Sequence, residues 1–127
     1  MAMLRKIFLM GMLIGLTAGC RTTMTNLTPS QVARNNTGLY PFEVIWDTTQ
    51  QSIREETLKA SVVLGEEVYP MQRTPKLNNR WEAFIPVPAD KSVISYRYRF
   101  DYEYLSIPNR RQNSRLTPQY QLQILNK

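Results

Sequence analysis

The stretch Val93-Ile94-Ser95-Tyr96-Arg97-Tyr98-Arg99-Phe100-Asp101-Tyr102-Glu103-Tyr104 decides the fold class. Ile94, Tyr96, Tyr98, Phe100, Tyr102 and Tyr104 recur at every second residue, and Ser95, Arg97, Arg99, Asp101 and Glu103 fill the places between. A period of two sends the first set to one face of a strand and the second to the other, whereas helical spacing would scatter the aromatics around the axis. The segment reads as one long strand with an aromatic face toward a core and a charged face toward water.

Shorter runs on either side repeat the pattern. Leu39 to Asp47 places Tyr40, Phe42, Val44 and Trp46 on one face. Arg80 to Val87 alternates Trp81, Ala83 and Ile85 with Arg80, Glu82 and Phe84, until Pro86 and Pro88, which cannot donate to a ladder, end it. Leu58 to Leu64 and Glu67 to Met71 flank Gly65-Glu66, whose Gly-X order suits a type II′ hairpin turn. Tyr120, Leu122 and Ile124 alternate with glutamines, and a short first strand is expected around Met24 to Thr28, closed by Pro29. Ser52 to Lys59 has room for one helical turn, with Ser52 as cap and Glu55 three residues on. About seven short strands separated by turn signals predict an all-β, immunoglobulin-like sandwich over residues 26–127. Trp81 to Pro88 followed by Tyr96 to Asp101 resembles the late strands of early-set immunoglobulin-like domains, the group that includes starch-binding and filamin-type modules. That resemblance implies a fold and no particular activity.

The first twenty residues are built differently. A basic start ending in Arg5 and Lys6 leads to an apolar run from Ile7 to Leu16 and then to Thr17, Ala18, Gly19 and Cys20, the plan of a secretory signal. Ten apolar residues fall short of the roughly 20 that a spanning helix needs. Leu16-Thr17-Ala18-Gly19-Cys20 resembles the lipobox of bacterial lipoproteins, with the usual leucine one place further out than the family pattern. The resemblance implies a signal helix over residues 1–19 that is removed, and diacylglyceryl attachment at Cys20. It further implies outer-membrane retention, because Arg21 stands where inner-membrane lipoproteins of enterobacteria usually carry Asp. Residues 20–25 then read as the lipidated N-terminus and a polar tether to the domain.

Composition narrows the chemistry. The 127 residues contain no histidine and one cysteine, so imidazole acid–base catalysis, Cys/His metal sites and an internal disulfide are all excluded. No catalytic residue, metal or cofactor is expected. The formal +6 suggests a basic protein, yet two of those charges belong to the signal. Residues 20–104 balance, and the remaining excess comes from Arg110, Arg111, Arg115 and Lys127.

Three groups merit weighing as sites. Asp101 and Glu103 share a strand face, as a glycosidase pair would, but Arg97 and Arg99 share it too, which makes a solvated, self-neutralising ladder the better reading. Interleaved tyrosine and arginine superficially suggest a nucleic-acid sheet, but the period of two sends them to opposite faces, so no nucleic acid is expected. The segment Leu105 to Pro118 is fourteen residues, long for a hairpin connection, and carries Arg110, Arg111 and Arg115. Two readings stay open: a mobile, solvated loop, or, because arginine forks suit phosphate and carboxylate, a surface on which these three meet lipid head groups, an anionic glycan or another envelope protein. The overall expectation is a non-catalytic, membrane-anchored envelope lipoprotein whose sandwich is an interaction or structural module, held to the bilayer through Cys20. The competing expectation is a carbohydrate-binding module with Trp81, Tyr102 and Tyr104 as its stacking platform.

Overall fold

The computed structural model describes residues 21–126, so the expected signal helix and Cys20 lie outside the described residues. Ten strands follow in the described chain: β1 Thr22–Asn26, β2 Gln31–Ala33, β3 Leu39–Thr48, β4 Lys59–Leu64, β5 Glu67–Pro70, β6 Gln72–Arg73, β7 Arg80–Pro86, β8 Val93–Tyr104, β9 Arg111–Leu116 and β10 Tyr120–Leu125. One sheet has the order β1-β3-β7-β6 and the other β2-β10-β8-β4-β5, with β9 paired to the far half of β8. All pairings are antiparallel except β2 on β10, where Gln31 lies opposite Gln123 and Ala33 opposite Leu125. The described residues therefore start in one sheet, cross at Leu27 to Ser30, and join the other. That switch, with these sheet orders, is an immunoglobulin-like sandwich.

The period of two accounts for the core. Tyr40, Phe42, Val44 and Trp46 of β3, with Trp81 and Ile85 of β7, pack against Tyr96, Tyr98, Phe100 and Tyr102 of β8, Val62 of β4 and Leu122 of β10. Rings from the two sheets interlock: Phe42 meets Tyr96 edge-on at 4.8 Å, and Trp46 lies 4.7 Å from Phe100. At the β4–β5 turn Gly65 has φ +60 and Glu66 a negative φ, as the type II′ reading requires.

A buried phenol needs a partner for its hydroxyl. Tyr98 donates to Oδ1 of Asn26 at 2.7 Å and contacts Thr28 Oγ1 at 2.8 Å. Burial pushes the Tyr98 hydroxyl well above the ordinary tyrosine range and raises that of Tyr96 too.

Four expectations need correction. Residues 22–25 are not a tether: they belong to β1, which pairs with β3 from Thr22 opposite Thr48 to Asn26 opposite Val44. Their polar side chains hide a strand whose Met24 packs on the core and whose threonines suit extended backbone. Leu105 to Pro118 is not one long loop, because β9 continues the ladder along β8 from Tyr104 opposite Arg111 to Arg99 opposite Leu116. The true connection is Leu105 to Arg110. Ser52 does not cap the short helical turn, a 3-10 turn at Glu55–Thr57 whose N-cap position is Arg54 and has no side-chain cap bond. The strand count exceeds seven because the first strand is split between sheets, β6 is only two residues, and β9 and β10 are two pieces of one interrupted strand. Thr117 bridges that interruption: its Oγ1 accepts from Tyr98 N–H at 2.9 Å, and its own N–H donates to the Tyr98 carbonyl at 3.0 Å.

Candidate interaction surface

The β8–β9 hairpin gathers the three arginines, though unequally. Residues directly opposite in an antiparallel ladder share a face, so Arg111, Asn113 and Arg115 stand beside Tyr104, Tyr102 and Phe100. Every residue of β9 is exposed, so the facing sheet does not cover this strand. Arg115 donates through Nε to the Tyr102 hydroxyl at 3.2 Å, and Asn113 Nδ2 donates to the same oxygen at 3.0 Å. Arg115 is thus partly committed to roofing Tyr102. Arg110 and Arg111 make no ion pair among the described residues. Arg110 acts weakly on the Glu56 carboxylate, which is held below the usual range by its own backbone hydrogen bond first and by Arg54 second.

The tip beyond the last ladder pair is apolar as well as basic. Ile107 is 96% exposed and Leu105 is 58% exposed. Period-two reading missed these two because neither belongs to an alternating run.

The tip shares an end of the sandwich with the start of the chain. Two hydrogen bonds join Arg21 to Thr49: the Arg21 N–H donates to Thr49 Oγ1 at 2.7 Å, and the Thr49 N–H donates to the Arg21 carbonyl at 2.8 Å. Three residues further on, the Ser52 carbonyl accepts from Leu105 N–H at 2.8 Å, and Ile53 bridges Tyr104. At no more than about 3.6 Å per residue, Thr49 and Ser52 lie within about 11 Å of each other. The Gly65 turn and the end of β10 lie at the opposite end, beside Arg97 and Val93.

The proposed stacking platform does not exist as a surface. Trp81 is 5% exposed, and the Arg73 guanidinium sits 4.8 Å from its ring centroid. Tyr102 is 3% exposed and Tyr104 is half-buried against Ile53. A sugar ring needs an open aromatic face, and none of the three residues offers one. Trp81 stands near the start of β7, where β6 pairs Arg73 opposite it and lays the guanidinium over its ring.

The outer face of β8 behaves as a charge ladder. Asp101 accepts from Arg99 Nε at 3.1 Å and from the Ser114 hydroxyl, and Lys59 lies opposite it in the register. An open groove of about 450 Å³ runs past Asp101, Glu103, Glu56 and Lys59. Its lining mixes these charges with Thr57, Asn113 and Ser114.

No family model matches the chain, and no curated protein matches it. Among solved structures, one described as the structure of murine CRIg is similar at a TM-score of 0.42 and 13% identity, over 83% of this chain and 98% of that chain. The immunoglobulin-like assignment stands on the strand order and the β2–β10 parallel pairing described above.

Proposed function

We propose that this protein is a lipid-anchored bacterial envelope lipoprotein whose immunoglobulin-like sandwich serves as a non-catalytic interaction module. The observation that carries the reading is the succession of basic start, ten-residue apolar run and small residues ending at Cys20, with β1 beginning two residues later at Thr22. A lone cysteine so close to the first strand suits an acyl anchor, and two acyl chains suffice for stable attachment. The burial of Trp81 and Tyr102 speaks against the carbohydrate-binding alternative. Arg21 in place of the inner-membrane Asp favours the outer membrane.

The test is metabolic labelling with an alkyne fatty acid, followed by membrane fractionation, for the parent and for Cys20→Ser. The parent should take up label and sediment with membranes. The variant should do neither. Equal membrane retention of an unlabelled Cys20→Ser protein would overturn the anchor.

A further inference from the structure

The absence of a tether has a geometric consequence for an anchored chain. Thr22 is already in the β1–β3 ladder, so the domain's nearest strand starts within about 7 Å of the Cys20 Cα. The end of the sandwich that carries Arg21 must then abut the bilayer. The same end carries the β8–β9 tip, whose six residues Leu105 to Arg110 extend beyond the last ladder pair by up to about 10 Å. The head-group layer of one leaflet is roughly 5–8 Å deep. A tip of this length beside the anchor reaches into that layer.

Its chemistry fits the place. Ile107 and Leu105 present apolar surface to the outside of the fold, and Arg110 and Arg111 flank them without ion-pair partners among the described residues. Arg21 adds a third cation at the same end. Apolar side chains between cations are the composition by which a peripheral segment seats itself at an anionic bilayer surface, the apolar groups entering the acyl boundary and the cations meeting phosphates.

We infer that the Leu105–Arg111 tip is a second membrane contact, seating Ile107 and Leu105 in the head-group layer of the anchoring membrane with Arg110, Arg111 and Arg21 on anionic lipid phosphates. The inference rests on the anchored reading. Its effect is orientation: with two contacts at one end, β10 and the Gly65 turn point away from the bilayer, and the outer faces of both sheets stand upright for partners.

The experiment uses the full, lipidated chain with one added thiol, since the chain's own cysteine carries the anchor. Asn109→Cys at the tip and Glu66→Cys at the opposite end are each labelled with an environment-sensitive fluorophore. Each is then reconstituted into phosphatidylcholine vesicles with or without phosphatidylglycerol. A head-group-attached quencher should remove most of the fluorescence at position 109 and almost none at 66, with deeper quenching when phosphatidylglycerol is present. Adding Ile107→Asp, or Arg110→Gln with Arg111→Gln, should return position 109 to the behaviour of 66 while the thermal melt stays in place. Protein that floats with vesicles but shows equal quenching at both positions overturns the tip contact and leaves the anchor standing. Protein that does not float overturns the anchor itself. Shielding of position 109 from aqueous quencher in native membranes, without lipid quenching in vesicles, would assign the tip to a protein partner and overturn the inference.

Discussion

The hydroxyl of Tyr98 reaches Oδ1 of Asn26 at 2.7 Å, across 72 residues of sequence, and so joins the middle of β8 to the end of β1. Asn26 is held from a second side, because its Nδ2 donates to the Tyr96 hydroxyl at 2.8 Å. The two tyrosines fix the point where the chain leaves one sheet for the other.

Removing that hydroxyl breaks bonds to Asn26 and Thr28, which are half-buried and each keep a backbone N–H partner, so Tyr98→Phe should destabilise by about 0.5–1.5 kcal/mol. For a domain of about 100 residues this lowers Tm by several degrees, at roughly 4–8 °C per kcal/mol. Thermal melting followed by circular dichroism measures it. An unchanged Tm would show that the Tyr98–Asn26 bond contributes nothing.

The same burial sets the behaviour at alkaline pH. Loss of hydration disfavours the phenolate, so Tyr98 stays protonated in the fold well above the ordinary tyrosine value of about 10, and Tyr96 is shifted in the same direction. In the unfolded chain they ionise near that value. Above about pH 10 the unfolded state therefore binds fewer protons than the native state, and stability that is complete below that pH declines as pH rises. Urea midpoints should hold steady up to about pH 10 and then fall. Tyr98→Phe should start lower and fall less steeply. Parallel declines in parent and variant would mean that Tyr98 is not the group responsible.

How much of this was legible depends on which atoms do the specifying. β8, β3 and β7 declare themselves because side chains carry the pattern: Tyr96, Tyr98 and Phe100 must face inward and Arg97 and Arg99 outward, and the alternation records it. β1 and β9 are held by backbone ladders while their side chains stay mostly polar, so only the later half of β1, from Met24, reads as strand, residues 22 and 23 read as tether alone, and Arg111 to Leu116 read as part of a loop. The arginine cluster was visible as charge. Its division was not, since the commitment of Arg115 to Tyr102 is a diagonal contact across a register that puts Arg115 opposite Phe100. That Arg21 and Ile107 share one end of the sandwich depends on the Thr49 and Ser52 bonds, which no local pattern encodes.

The two tryptophans give the last prediction. Trp46 and Trp81 are 3% and 5% exposed, so their emission should be blue-shifted and little affected by an aqueous quencher or by soluble glycans. Neither buried indole N–H has a hydrogen-bond partner among the described residues. An unpaired N–H contributes nothing that a phenyl ring would lose, so the two substitutions at Trp46 should separate. Trp46→Ala removes a ring packed on Phe100 and Tyr102 and should cost about 3–5 kcal/mol. Trp46→Phe keeps an aromatic ring in the same place, gives up only part of the volume, and relieves a buried donor of its missing partner. Denaturant titration of both variants should therefore place Trp46→Phe much nearer the parent than Trp46→Ala. Equal losses would mean that the indole nitrogen is bonded in solution, most simply to a buried water at that end of the core.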